Sequence, residues 1–175
     1  MNNTAFGMVH IYTGDGKGKT TAGIGLCCRC AGRGGKVLVT AFLKDFGSGE
    51  YMFPAPFDVF GKDAFHGFWS DLSENEKQTA KQQLEKKLTD VFALAKDKGY
   101  DMLLLDEVLF AAHVGAVDIK LLKSLILSKP TSLELVMTGR CCDKELYEIS
   151  DYVSEIKAVK HPYSSGTDCR IGIEK

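Results

Sequence analysis

Residues 8–20 read Met8-Val-His-Ile-Tyr-Thr-Gly-Asp-Gly-Lys-Gly-Lys-Thr20, an apolar β-type run that breaks into a glycine-lysine loop and then into a helical pattern. Alternating glycines at Gly14, Gly16 and Gly18 let the backbone curl around an anion, so that successive N–H groups converge on phosphate oxygens. Lys19 adds a point charge, Thr20 a hydroxyl suited to Mg²⁺, and the helix that follows turns its positive end to the same phosphates. Gly18-Lys19-Thr20 closes the loop as in G-x-x-x-x-G-K-[ST], although Thr13 stands at the first glycine position and Gly14 comes one residue late. The dinucleotide fingerprint G-x-G-x-x-G fits worse, because its third glycine arrives too early and is followed by Lys-Thr. A glycine-rich turn with incidental lysines would not need a strand before it and a helix after it. The stretch therefore predicts a triphosphate cradle made of Gly14, Asp15, Gly16, Lys17, Gly18, Lys19, Thr20 and Thr21.

Working outward, small and apolar residues from Thr20 to about Ala31 predict a helix packed on a sheet and ended by Gly32, Gly34 and Gly35. Lys36 to Leu43 lacks polar alternation and reads as a strand buried on both faces. A short strand fits 57–60. Ser73 and Glu76 form a capping box opening a helix that runs to Gly99 through Ala80, Leu84, Leu88, Val91, Phe92 and Ala95. Asp101 to Glu107 is a buried strand ending in two carboxylates, followed by an apolar helical piece over 108–114. Asp118 caps a helix that Pro130 terminates, and the last third predicts a strand over 133–138, a helix over 143–150 and a strand over 152–159. Repeated strand-helix units imply right-handed crossovers and an α/β fold of three layers with a mainly parallel sheet, of the P-loop NTPase-like (RecA-like) type, forming one domain over 1–175.

The composition suits that fold. At 175 residues, 45% hydrophobic and 26% charged, the chain is long enough to bury one sizeable core. A net charge of −1 with no basic cluster outside the loop gives no general attraction to nucleic acid or to anionic lipid. The N-terminus lacks the pattern of a signal peptide and no stretch is long enough to span a bilayer, so no membrane partner is expected and the cytoplasm is the expected compartment. The six cysteines include Cys27-x-x-Cys30 and the pair Cys141-Cys142. The first group falls within the helix after the loop, with no nearby histidine to complete a zinc set, and reads as buried free thiols.

Ligands of such a sheet gather beyond the C-terminal ends of the strands. The phosphate loop, Asp106-Glu107, Thr138-Gly139-Arg140 and Lys160-His161 all follow predicted strands and can meet on one rim. Asp106 and Glu107 stand where a carboxylate holds Mg²⁺ directly or through water, with the phosphate loop expected on a neighbouring strand. Arg140 can offset phosphate charge, and Glu107 could polarise a water, which makes ATP hydrolysis the plainest alternative chemistry. Residues 44–72 are rich in glycine and proline yet hold Phe46, Tyr51, Phe53, Phe57, Phe60, Phe65, Phe68 and Trp69, the composition of an aromatic binding loop.

Tyr12 to Thr21, Phe42-Leu-Lys44, Leu105-Asp-Glu107, Thr138-Gly-Arg140 and Val159-Lys-His161 together resemble the P-loop type of ATP:cob(I)alamin, or corrinoid, adenosyltransferases, over about Met8 to Lys175. The resemblance implies that ATP is an alkyl donor: the Co(I) of a reduced corrinoid attacks the ribose 5′ carbon and the whole triphosphate leaves, giving an adenosylcobalamin or adenosylcobinamide-type product. It implies ATP, Mg²⁺ and a corrinoid as ligands, an electron donor such as a flavoprotein, and a homodimer. Catalytic roles then fall on Lys19, Thr20 and Glu107, and Mg²⁺ on Thr20, Asp106 and Glu107. Contact with the corrinoid falls on Phe42, Phe65, Phe68, Trp69 and His161, with Phe68-Trp69 placed to displace the lower axial base. The chain departs from the family pattern in two places, having Ala41-Phe-Leu-Lys-Asp45 for Gln-Phe-Ile/Leu-Lys-Gly and His66-Gly-Phe-Trp69 for Phe-x-Trp. Only seven residues precede Met8, so an N-terminal lid helix of the kind some relatives carry is not expected. A non-catalytic corrinoid- or nucleotide-binding module is the reading from a different class.

Overall fold

The computed structural model describes residues 6–44, 46–52, 54–61, 68–162, 166 and 168–173. Among these residues six strands, β1 (Val9–Thr13), β2 (Val37–Ala41), β3 (Asp58–Val59), β4 (Met102–Asp106), β5 (Glu134–Thr138) and β6 (Tyr152–Glu155), form one sheet in the order β3-β2-β4-β5-β1-β6. Every pairing is parallel. The helices are α1 (Lys19–Ala31), α2 (Glu74–Asp97), α3 (Val108–His113), α4 (Ile119–Ser128) and α5 (Lys144–Tyr147).

All five residues of β2 and of β4 are buried, because helices cover both faces of the sheet. Side chains alternate between the two covers. Leu38, Leu103, Leu105, Leu135 and Met137 pack with Leu84, Leu88 and Val91 of α2 and with Leu122 and Ile126 of α4. Val37, Val39, Ala41, Met102, Leu104 and Val136 pack on the other side with Cys27 and Cys30 of α1. This is a three-layer P-loop NTPase-like α/β fold. Each of the fully buried leucines contributes roughly 1.5–3 kcal/mol relative to exposure. Cys27 and Cys30 are free thiols inside the α1 core, and burial pushes the Cys27 thiol well up from its ordinary value.

Local chemistry sets the helix ends. The Ser73 N–H donates to Glu76 Oε2 at 2.8 Å and the Glu76 N–H to Ser73 Oγ at 3.4 Å, the reciprocal capping box the sequence predicts. Asp118 accepts from the Lys120 N–H at 2.7 Å and so caps α4.

Three expectations need correction. The phosphate loop and Asp106 are not on neighbouring strands: β5 lies between β1 and β4. The helix predicted over 143–150 is the four-residue α5, closed by a tight turn in which the Ser150 N–H reaches Tyr147 O. The strand predicted over 152–159 ends at Glu155, because β1, the partner of this edge strand, itself ends at Thr13 where the loop turns away. The chain then stays beside the loop, with the Ile156 N–H on Thr13 O and the Gly16 N–H on Ile156 O, each at 2.8 Å.

Candidate functional site

The loop between β1 and α1 is pressed against the segment that follows β6. A Cβ on Gly14, which has φ +103°, would sit 2.4 Å from Ile156 O, and one on Gly16 would sit 2.7 Å from Lys157 C. Neither position has room for a side chain, so the glycines here answer to close backbone approach as well as to anion binding. Lys19, the first residue of α1, is buried, and its Nζ donates to Gly16 O at 2.7 Å. Burial pulls the Lys19 ammonium below its ordinary pKa, against the opposing charge of Glu107. Asp15, Lys17 and Thr21 are exposed, and the N–H of Ala158 on Asp15 Oδ1 holds that carboxyl below its usual range.

Asp106 ends β4 with no exposed surface and accepts four side-chain hydrogen bonds. Its Oδ1 takes the hydroxyls of Thr20 at 2.9 Å and Thr138 at 2.5 Å. Its Oδ2 takes Lys44 Nζ at 3.1 Å and the Tyr51 hydroxyl at 3.2 Å. Thr138 also accepts the Glu107 N–H at 2.9 Å, so the intervening strand β5 locks both acidic residues through one hydroxyl. Lys44 Nζ has a second acidic partner, Glu50 Oε1, at 3.0 Å. Burial alone would lower the Lys44 pKa, but the charges of Asp106 and Glu50 outweigh it and hold the ammonium above its ordinary value. Burial and the Asp106 charge push the Tyr51 phenol far up.

Glu107 adopts a left-handed backbone conformation, φ +59°, at the start of α3. Burial raises its carboxyl pKa, the adjacent Asp106 raises it further, and Lys19, Lys44 and Arg140 partly oppose both. A carboxyl with a raised folded-state value weakens the fold as pH climbs through that value. Glu107→Gln is therefore expected to raise Tm at pH 7.5 by about 2–4 °C, the size of ~1 kcal/mol in a chain of this length, with the gain vanishing as pH falls through the carboxylate range. Differential scanning calorimetry across pH reads this directly; a loss of stability at neutral pH would contradict it.

Arg140 is exposed but close enough for its charge to act on Lys19, Asp15 and Glu107. With Gly14, Asp15, Cys141 and Lys157 it lines an open groove of about 720 Å³ beside the phosphate loop. Val159 forms part of that wall and is followed by Lys160 and the half-buried His161. The other sequence-predicted residues lie elsewhere. Phe42 is fully buried among the residues of the α2 core, with Lys87 Nζ 5.5 Å from its ring. Phe68 is exposed, and Trp69 packs half-buried against the α2 core, lining a separate groove of about 470 Å³ with Gln78, Lys81 and Val114. Phe65 lies outside the described residues.

The oxygen donors suit Mg²⁺. No group of three or more His, Cys, Asp or Glu side chains forms a metal cage among the described residues. A hydroxyl and one or two carboxylates completed by substrate phosphates is, however, the arrangement this small hard cation takes in nucleotide sites. Thr20 and Asp106, joined at 2.9 Å, and the adjacent Glu107 would be the residues to hold it.

Lys44, Tyr51 and Thr138 carry the site's geometry without having been assigned roles from sequence. Lys44 stands in a motif that sequence reading singled out, and Thr138 ends a strand on the predicted rim. Tyr51 gave no separate signal among so many aromatics. Among the described residues no helix is long and apolar enough to cross a membrane.

The model of the family ATP:corrinoid adenosyltransferase BtuR/CobO/CobP matches residues 5–174. The chain is 32% identical to a corrinoid adenosyltransferase of Escherichia coli K12 over 96% of its own length and 85% of that protein's. It is 29% identical to corrinoid adenosyltransferase CobA of Salmonella typhimurium LT2, covering 96% and 85%, and 29% identical to a corrinoid adenosyltransferase of Pseudomonas aeruginosa, covering 96% and 83%. A phosphate loop locked to a buried strand-end aspartate, in a chain matched from end to end by one family, leads to a single assignment: the chain belongs to the ATP:corrinoid adenosyltransferases of the BtuR/CobO/CobP family.

Proposed function

We propose that this protein transfers the 5′-deoxyadenosyl group of ATP to the Co(I) of a reduced corrinoid. The observation that carries the reading from the structure is the convergence of Lys19, Thr20 and Asp106 at the phosphate loop. The cobalt electron pair forms the new Co–C bond to the ribose 5′ carbon as the C5′–O bond breaks, and triphosphate leaves with the bonding pair. No base is required, because Co(I) is already a nucleophile. The phosphate loop then holds a leaving group. Loop amides, the Lys19 ammonium and Arg140 face charge that grows on the triphosphate, so they bind the transition state more tightly than the ground state. Bound Mg²⁺ would supply further neutralisation of that charge, held through Thr20, Asp106 and Glu107.

The corrinoid lies on the side bearing Phe68 and Trp69, whose rings exclude water from the lower face of the macrocycle and so alter the cobalt's ligation and reduction potential. His161 contributes from the segment after β6. An external electron donor such as a flavoprotein supplies Co(I), the enzyme works as a homodimer, and the free cysteines suit the reducing cytoplasm.

Phosphorus NMR of the protein with ATP, Mg²⁺ and chemically reduced cobalamin tests the reading. Triphosphate whose formation requires the corrinoid is expected. ADP and phosphate formed regardless of the corrinoid would make the protein an ATPase, and no turnover would make it a binding module.

A further inference from the structure

Asp106 is served by four donors, and one differs in kind from the others. Thr20, Thr138 and Tyr51 are neutral hydroxyls on short or rigid side chains, with Thr20 in α1 and Thr138 in β5. Lys44 is charged, its ammonium rides on a flexible stem, and it holds a second carboxylate, Glu50, as closely as it holds Asp106: 3.0 Å against 3.1 Å. Glu50 belongs to the short 3₁₀ turn Gly49–Tyr51 and accepts from the Lys44 ammonium at 3.0 Å, so Lys44 can leave Asp106 without leaving all negative charge behind. Lys44 and Glu50 are each about a quarter exposed, while Asp106 is fully buried. Water can therefore follow the ammonium as it moves.

A divalent cation held by Thr20 and Asp106 would share that carboxylate with the Lys44 ammonium, which sits on its second oxygen, and in a partly buried site the repulsion between the two cations is large compared with one hydrogen bond. We propose that Lys44 is the resident counter-cation of Asp106, that it competes with the divalent cation for this carboxylate, and that Glu50 receives it when the cation and the triphosphate bind. Lys44 is thus a positioning residue that sets how strongly metal and nucleotide binding are coupled. The inference rests on the reading that Mg²⁺ binds at Thr20, Asp106 and Glu107.

The coupling is the ratio of the ATP dissociation constant in EDTA to that in excess Mg²⁺, measured by titration calorimetry without corrinoid. In Lys44→Met the competitor is gone, and the ratio is expected to rise about tenfold over wild type. In Glu50→Gln the ammonium loses its alternative partner and grips Asp106 harder, so the ratio is expected to fall about threefold. Lys44→Arg keeps the charge and is expected to leave the ratio near wild type. A ratio in Lys44→Met that is unchanged or lower overturns the proposal, as does a rise in Glu50→Gln. Weaker ATP binding in EDTA with an unchanged ratio would make Lys44 a phosphate ligand instead. Should Lys44→Met fail to fold, the Glu50→Gln arm decides, since it leaves all four donors to Asp106 in place. A wild-type ratio near one would remove the metal reading itself, and is distinguishable because it appears before any variant is made.

Discussion

Asp106→Asn is expected to lower Tm by about 6–12 °C and to weaken ATP binding severely. The aspartate carboxylate has only acceptors, and it meets only donors: two threonine hydroxyls on one oxygen, an ammonium and a phenol on the other. An amide replaces one of those oxygens by a two-proton donor. If that group faces Thr20 and Thr138, both hydroxyls must rotate away and the Glu107 N–H loses the orientation of its acceptor. If it faces Lys44, a partly buried ammonium contact becomes repulsive and Tyr51 loses its acceptor. Leaving buried donors unpaired costs about 3 kcal/mol in either orientation. In a chain of this length that corresponds to roughly 2–4 °C per kcal/mol. Calorimetry with and without ATP measures both effects, and a Tm within about 2 °C of wild type would show that the network is looser than its distances.

The consequence of Asp106 being so heavily bonded bears on what a sequence can disclose. The phosphate loop was legible because it is local: glycines, lysine and threonine at fixed offsets, with a strand before and a helix after. The strands β2, β4 and β5 were equally legible, since a strand buried on both faces needs an apolar run and little else. Strand order was not. That β5 lies between the phosphate loop and Asp106 is decided by which crossovers pack on which face, and no residue in β1 or β4 records it. With that order comes the role of Thr138, whose hydroxyl joins Asp106 to the Glu107 N–H across the strand boundary.

The burial of Phe42 was hidden for a different reason. The residue continues the β2 pattern and carries a hydrogen bond from its N–H to Asp106 O, which keeps it in the sheet's register and turns its ring into the core. An aromatic at a strand end reads equally well as a ligand or as core, and only the cover supplied by α2 separates the two. Lys87 illustrates the converse. It sits on the buried face of α2 with its ammonium on the carbonyls of Ala41 and Gly61, at 2.7 and 3.0 Å, while helical periodicity alone assigns that face to apolar side chains. A long side chain with a polar tip reaches backbone groups that periodicity does not see.

Lys19→Ala is expected to reduce the rate of triphosphate release, as kcat/KM for ATP, by about a thousandfold while leaving corrinoid binding intact. The side chain is buried under the loop and its ammonium already points along it, onto Gly16 O, so no reorganisation of the loop is needed to present a positive charge to phosphate oxygens. Burial depresses its pKa, and the depression opposes the charged form; the approach of a triphosphate reverses that bias, strengthening the ammonium when negative charge develops. The larger share of the loss should therefore appear in kcat, because charge on the leaving group is greatest when the C–O bond is breaking. Lys19→Arg should recover little, since a planar guanidinium is bulkier than the ammonium that this loop encloses. Single-turnover kinetics scored by phosphorus NMR, alongside a spectroscopic titration of the corrinoid, separates these terms. An equal fall in ATP affinity and in kcat/KM would mean that Lys19 binds ground state and transition state alike, and the loop would then be a holder of nucleotide with no part in driving triphosphate away.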